Sequence, residues 1–333
     1  MSLAKSILFC ALLAFAADAS AVTMSWSFVG NPGNANDTRD GDQFTTGIQN
    51  FGAVPYAFNI GRYDVTANQY TEFLNAKDPT GANALGLYST RMSDFEYGEI
   101  QFNSGNTLGS KYITVSGREN YPANYVTWYD TIRFANWMNN GQGSADTETG
   151  AYTLGTLGAG GIPIAPPLTH NAGSSVWLPT ENEWYKAAYY NPSTSSYFLF
   201  GTSSSATPIS SYPSSTLPNH ANVFGQILNT HQTNVGAFSG TTSPYGAFDM
   251  TGNVFQWNEL QSGVNRGARG GAWDMDYQAA VSQWRGYGLA SLEYQDFGFR
   301  LASAPGVPEP STLALAAFGF TALAAWGWRR RKR

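Results

Sequence analysis

The stretch Trp177-Leu178-Pro179-Thr180-Glu181-Asn182-Glu183-Trp184 places a glutamate three residues after a threonine. The threonine hydroxyl can accept the backbone amide at that third position, while the glutamate side chain reaches back to the threonine amide. Two donors that a helix start leaves orphaned are then satisfied. The stretch predicts a helix opening at Glu181, with Trp184, Ala187 and Ala188 on its apolar face and Asn191-Pro192 as its stop. The same signal stands at Thr66-Ala67-Asn68-Gln69 and at Thr127-Trp128-Tyr129-Asp130. Tyr70, Phe73 and Leu74 follow the first at helical spacing; Phe134, Trp137 and Met138 follow the second, with Gly141 as a stop. The rest reads differently. A strand is expected about Tyr56–Tyr63, and two surface loops at 141–175 (Gly/Pro-rich) and 193–219 (Ser/Thr/Pro-rich). After residue 220, glycines and aromatics without helical periodicity predict short strands and long ordered loops. No internal repeat divides the body, so one compact domain is expected.

Composition narrows the function classes. The 333 residues are 42% hydrophobic, 15% aromatic and only 12% charged, about half the usual charged fraction, so Ser, Thr, Asn, Gln and Gly must cover much of the surface. That balance excludes a disordered chain. The net charge of −5 argues against nucleic acid, whose phosphates need a Lys/Arg surface.

The two ends carry targeting signals. Lys5, the apolar run Ile7 to Ala17, and Ala19-Ser20-Ala21 before Val22 have the layout of a signal peptide over residues 1–21, cut by signal peptidase. Cys10, the one cysteine, lies in that run, so the mature chain is expected to hold no thiol. At the other end, Pro308-Glu309-Pro310 precedes an apolar stretch over 312–328 and the basic Arg329-Arg330-Arg331-Lys332-Arg333. As a helix the stretch rises roughly 25 Å, a short membrane span, and its basic end stays cytoplasmic. These three parts in this order resemble the PEP-CTERM sorting signal, here 304–333, which an exosortase recognises. The resemblance implies an inner-membrane-anchored precursor whose body is periplasmic, outer-surface or extracellular. Removing the five basic residues takes the net charge from −5 to about −10.

Six segments of the body resemble the formylglycine-generating enzyme, or sulfatase-modifying factor, family. They are Tyr63 to Phe73, Tyr121 to Asp130 running into Phe134-Ala135-Asn136-Trp137, Trp177 to Trp184, Ser243 to Trp257, Arg269-Gly270-Gly271-Ala272-Trp273, and Phe297-Gly298-Phe299-Arg300-Leu301. Each is short alone, but together they keep the family's order across the expected domain, 55–303, behind an irregular lead-in at 22–54. The resemblance implies an α+β fold with few short helices and strands and long ordered loops, related to the C-type lectin fold.

The family's best-known reaction oxidises a substrate cysteine to formylglycine using copper held by two cysteines. Counted from Gly270-Gly271, those positions fall on Met275 and Ala280. A thioether and a methyl cannot make a two-thiolate copper site, so formylglycine synthesis by that route is not expected. Other members carry an iron-binding helical bundle that this chain lacks, and His170, His220 and His231 have no ligand-like spacing. Neither copper, iron nor haem is expected. Calcium is the cofactor the resemblance leaves. Its ligands would be the Asp249 carboxylate, the Gly252 and Val254 carbonyls and the Gln256 side chain, an all-oxygen set suited to a hard cation. Gln256 stands where the family usually has glutamate, which weakens the site. A weaker second site would begin at Asn222-Val223, its downstream aspartate falling near Leu228.

The family's active-site surface corresponds to residues 273–294. Here Trp273, Asp274, Asp276, Tyr277, Trp284 and Arg285 are the candidate ligand-binding residues. Aromatic faces beside carboxylates suit a carbohydrate or peptide, although both tryptophans also fit a hydrophobic core. Proteins sorted this way sit among exopolysaccharide, which favours carbohydrate. The expected role is a non-catalytic ligand-binding or extracellular-matrix component, with no catalytic residue assigned. The alternative is a divergent enzyme of the same fold, an oxidoreductase or a protein-maturation factor. A glycosidase would need two carboxylates roughly 5–9.5 Å apart in a cleft, for which Asp274, Asp276, Glu293 and Asp296 are available. No Gly-x-Ser-x-Gly elbow supports a serine hydrolase.

Overall fold

A computed structural model describes residues 21–39, 50–224 and 231–306. The expected signal peptide (except Ala21), the apolar stretch 312–328 and Pro308, Glu309 and Pro310 lie outside them. Among the described residues no helix is long and apolar enough to cross a membrane.

The three predicted helices form where the capping boxes place them. Helix α1 spans Ala67–Lys77, α2 Trp128–Asn139 and α3 Glu181–Tyr189. In each, the threonine side chain accepts from the third residue's amide and that residue's side chain accepts from the threonine amide. Tyr70, Phe73 and Leu74 on α1, Phe134 and Trp137 on α2, and Trp184, Ala187 and Ala188 on α3 are buried as their spacing requires.

Two four-stranded sheets position everything else. The first runs Trp26–Val29, Phe58–Gly61, Ala302–Ser303, Val176–Trp177, antiparallel throughout. It pairs a strand from the N-terminal part of the body with one from the end of the domain. The lead-in is therefore not irregular throughout: Trp26–Val29 is an edge strand. The second sheet runs Gly286–Leu289, Asn265–Arg269, Phe255–Ser262, Phe297–Gly298, with only the last pairing parallel. Its register slips between Trp257 and Gln261. The bulge turns Asn258 inward, where its Nδ2 donates to Glu181 Oε2 at 2.6 Å.

The core between these layers is aromatic. Tyr70, Phe73, Phe134, Trp137 and Phe299 pack with centroid separations of 5.3–6.4 Å. Threaded through it are buried polar groups. Arg300 is completely buried and donates to Gln256 Oε1 at 2.5 Å, Gly61 O at 2.8 Å, Phe248 O at 2.9 Å and Asp64 Oδ1 at 3.0 Å. Gln256 Oε1 also accepts from Trp184 Nε1 at 2.7 Å. One guanidinium thus joins the first sheet, the second sheet and α3.

Burial pushes the Asp64 and Asp130 carboxyls up to about 7, Arg300 and the Thr127 contacts respectively offsetting part of the effect. Burial, with Asp274 nearby, pushes Asp296 up to about 7 as well. A carboxyl whose folded pKa lies above its unfolded value contributes stability that is complete below the unfolded pKa and lost as pH rises through the folded one, at about 1.4 kcal/mol per unit. The carboxyls held low, Asp37, Asp94, Glu119, Asp146 and Glu181, contribute stability that is lost only as pH falls below the ordinary carboxylate range, so they do not change the balance between about pH 5.5 and pH 8. Stability is therefore expected to be greater at about pH 5.5 than at pH 8, with each kcal/mol moving the melting temperature by roughly 2–4 °C. Thermal melts across that interval check it; a flat or rising profile would contradict the burial assignment.

Candidate functional site

The segment after Gly270-Gly271 is built by two tight backbone features. Gly270 and Gly271 have φ of 100° and 71°, the left-handed region where a side chain is strained. A Cβ on Gly271 would also lie 3.0 Å from the Ala280 Cβ. This close approach carries the chain into the 3₁₀ turn Tyr277–Ala280, capped by Asp276 Oδ1 accepting from Gln278 N at 2.9 Å. Met275 is 41% exposed whereas Ala280 is fully buried against the glycine. The two positions counted as copper-ligand positions thus carry an exposed thioether and a packed methyl. The described residues contain no cysteine.

The six candidate ligand-binding residues do not form one face. Asp276 and Tyr277 line a groove of about 540 Å³ with Ile209, Ser210, Val223 and Phe224. Phe224 is half exposed and its amide donates to Met275 O at 2.9 Å. Trp273 is buried, stacked on Tyr97 with centroids 5.4 Å apart. Trp284 stacks on Phe255 at 5.3 Å. Arg285 is buried in an ion network: its Nε lies 3.0 Å from Glu181 Oε1, which also accepts from Arg269 Nε at 2.6 Å, and its guanidinium sits 3.9 Å over the Phe51 ring. Burial alone would raise Glu181, but the two guanidiniums outweigh it and hold the carboxyl below its usual range. Asp274 is partly buried beside Asp296 rather than at the groove, its pKa raised by burial. Sequence reading missed Ile209, Ser210 and Phe224; the first two sit in a loop whose Ser/Thr/Pro composition marks nothing but exposure.

A second cleft, about 390 Å³, is lined by Arg91, Asp94, Tyr125, Glu293 and Asp296 among others. Its two aspartates are driven apart: burial raises Asp296 to about 7, while the amides of Tyr97 and Glu96 hold Asp94 low. Tyr125 at its wall has φ 53°.

The calcium ligand set does not fit as expected. Gln256 is fully buried with its side chain committed: Oε1 accepts from Trp184 and Arg300, and Nε2 donates to Asp249 O at 2.7 Å. A cation on that oxygen would face the Arg300 guanidinium. Asp249 Oδ2 accepts from Gly236 N at 2.7 Å, and burial raises this carboxyl to about 6. At the second position, Asn222 Oδ1 is buried without a partner and Val223 lines the groove, but Leu228 lies outside the described residues. Among the described residues no three His, Cys, Asp or Glu side chains are grouped as metal ligands. His170 instead pairs with Glu259 at 2.8 Å and stacks on Trp177.

Two measurements test these placements. Trp273→Ala is expected to cost about 3–5 kcal/mol in denaturant unfolding, as for a core aromatic, while Tyr277→Ala stays within about 1 kcal/mol. Millimolar calcium is expected to leave the melting temperature unchanged; a clear rise would show that Gln256 gives up Arg300 for a cation.

Residues 33–305 match the sulfatase-modifying factor enzyme 1-like domain, and residues 306–332 match the PEP-CTERM protein-sorting motif. No curated protein matches the chain significantly. Among solved structures, Treponema denticola variable protein 1 aligns with a TM-score of 0.51 at 19% identity, over 86% of this chain and 97% of that one. CarF aligns at 0.49 and 19%, over 84% and 98%, and PvdO from Pseudomonas aeruginosa at 0.45 and 17%, over 84% and 92%. The first supports the fold alone. The sorting motif marks an exported, membrane-anchored precursor processed by an exosortase. With three capped helices, the Gly270-Gly271 turn and the Phe297–Leu301 strand end all inside the matched span, the chain belongs to the sulfatase-modifying factor enzyme 1-like domain family, in its α+β formylglycine-generating-enzyme-like fold.

Proposed function

We propose that the exported body is a non-catalytic ligand-binding component of the cell envelope or its surrounding matrix. The observation that carries this reading is an open groove beside Met275, with Ala280 packed against Gly271. One side chain is exposed and the other buried, and neither can serve as a thiolate ligand, which supports use of the groove for contact rather than for copper chemistry. Phe224, Ile209 and the Tyr277 ring supply apolar contact, and Asp276 and Ser210 supply polar edges. Such a mixture suits a carbohydrate ring or an extended peptide: apolar contact provides area, and a few polar groups fix orientation. Carbohydrate is the ligand class we favour for a protein exported toward the cell surface.

The divergent-enzyme alternative, in hydrolytic form, draws on the Asp94 and Asp296 cleft. A protonated and an ionised carboxyl facing one space is the arrangement that acid–base hydrolysis uses. One experiment separates the two readings. The full chain is titrated with purified exopolysaccharide oligosaccharides, and turnover of nitrophenyl glycosides is followed in parallel. Saturable binding weakened about tenfold by Tyr277→Ala, with no turnover, is expected. Turnover abolished by Asp296→Asn would replace the binding role with a hydrolase, and metal-dependent oxygen consumption would replace it with an oxidoreductase.

A further inference from the structure

A cavity of about 480 Å³ lies away from the groove, where the N-terminal segment Thr23–Ser25 crosses the start of α1. Its far wall is the loop at Asn234-Val235, fastened by Val235 N donating to Asn120 O at 2.8 Å. The volume is within the roughly 300–1,000 Å³ usual for small-molecule sites.

What lines it is specific. Gln69 and Thr66 also lie here, but the capping box and Thr23 O occupy their polar groups. Asn68, Asn120 and Asn234 are exposed at the cavity, and none makes a side-chain hydrogen bond among the described residues. Asp64 lines the same space at 1% exposure. Its Oδ1 is held by Arg300 at 3.0 Å, but its Oδ2 is buried with no hydrogen-bond partner. A buried carboxylate oxygen left unpaired costs on the order of 1–3 kcal/mol, which a ligand hydroxyl would recover. The half-buried Tyr63 ring, steadied by stacking on Phe248 at 5.2 Å, adds one apolar face.

We propose that this cavity is a binding site for a neutral polyhydroxylated ligand, a sugar unit, distinct from the Asp276 and Tyr277 groove. Each asparagine amide offers a donor and an acceptor, the complement of vicinal hydroxyls that both donate and accept. Asp64 Oδ2 shares a hydrogen bond with one ligand hydroxyl, accepting when ionised and donating when protonated, and Tyr63 meets the face of the ring. An anion is disfavoured because no lysine or arginine lines the cavity and Asp64 is already acidic. A metal cation is disfavoured because the one carboxylate present is shared with Arg300. A large apolar ligand would leave the three amides unpaired.

The test uses the full chain in a zwitterionic detergent, since glycosidic detergents would compete. Glucose, galactose, N-acetylglucosamine and glucuronate are titrated and followed by saturation-transfer NMR. Saturable binding of at least one neutral sugar is expected, weakened about tenfold in Asn68→Ala/Asn234→Ala and unchanged in Tyr277→Ala. Glucuronate is expected to bind less tightly than glucose. Absence of neutral-sugar binding, or a double variant that binds like the wild type, overturns the site. Tighter binding of glucuronate overturns the ligand class. Both asparagines are exposed, so the double variant should fold; Asn120→Trp, which fills the mouth, gives an independent blocking variant. Loss through Tyr277→Ala instead would assign the sugar to the groove.

Discussion

The buried Arg300 guanidinium is the interaction on which the other parts depend. A loop-rich body without a disulfide must still satisfy the carbonyls its loops bury. Arg300 does so at Gly61 and Phe248, and at the same time neutralises Asp64 and binds Gln256. Other buried arginines repeat the device. Arg266 donates to Pro167 and Leu168 carbonyls, with its guanidinium 3.7 Å over Trp128, and Arg133 bonds Glu148 and Gly161 O. Each holds one stretch of the 141–175 excursion against a helix or strand. The planar, always charged fork suits this better than lysine, because several carbonyls can be met from one rigid group. Buried ions are poor sources of net stability. Their service here is to choose one arrangement for segments that periodic packing does not order.

That device also explains what the sequence could and could not reveal. The helices were legible because a capping box is local: Thr180 and Glu183 are neighbours on any helix that starts there. The alternation of loop and strand after residue 220 was legible from composition, and the lead-in strand Trp26–Val29 was not, since its partner Phe58–Gly61 lies far along the chain. Glu181 and Lys186 are charged residues of α3 that local spacing does not assign to the core, yet both are buried. Glu181 is buried because Arg269 and Arg285 arrive from about 90 and 100 positions away, a relation no local pattern encodes. The candidate site divided along the same line. Trp273, Trp284 and Arg285 have the chemistry of a binding face, but Tyr97 and Glu181 hold Trp273 and Arg285 in the interior, and Phe255 stacks on the partly buried Trp284.

Gln256 shows how one side chain can decide the character of a site. With glutamate there, a second carboxylate would stand beside the Asp249 segment and a cation would be the natural partner. The amide instead divides its two ends, its oxygen to Arg300 and Trp184, its nitrogen to Asp249 O. The neutral side chain lets a resident guanidinium supply the positive charge. The segment is a structural joint, its positive-φ turn through Asp249, Gly252 and Asn253 tied by Gly252 N donating to Gly270 O and Asn253 N donating to Asn222 O.

The scarcity of charge then acquires a consequence for ligand binding. Several of the few charged side chains are interior, including Arg133, Arg266, Arg269, Arg300, Glu99, Glu181, Glu183 and Lys186. Removing them from the surface leaves amides, hydroxyls and aromatic edges facing solvent. Selectivity among uncharged ligands on such a surface comes from hydrogen-bond geometry at short range. Asparagine amides around an unpaired carboxylate oxygen, with one tyrosine ring at hand, supply that geometry for a hydroxyl-bearing ligand. The interior charges that order the loops thus also leave the exterior rich in the amides and hydroxyls that suit an uncharged partner.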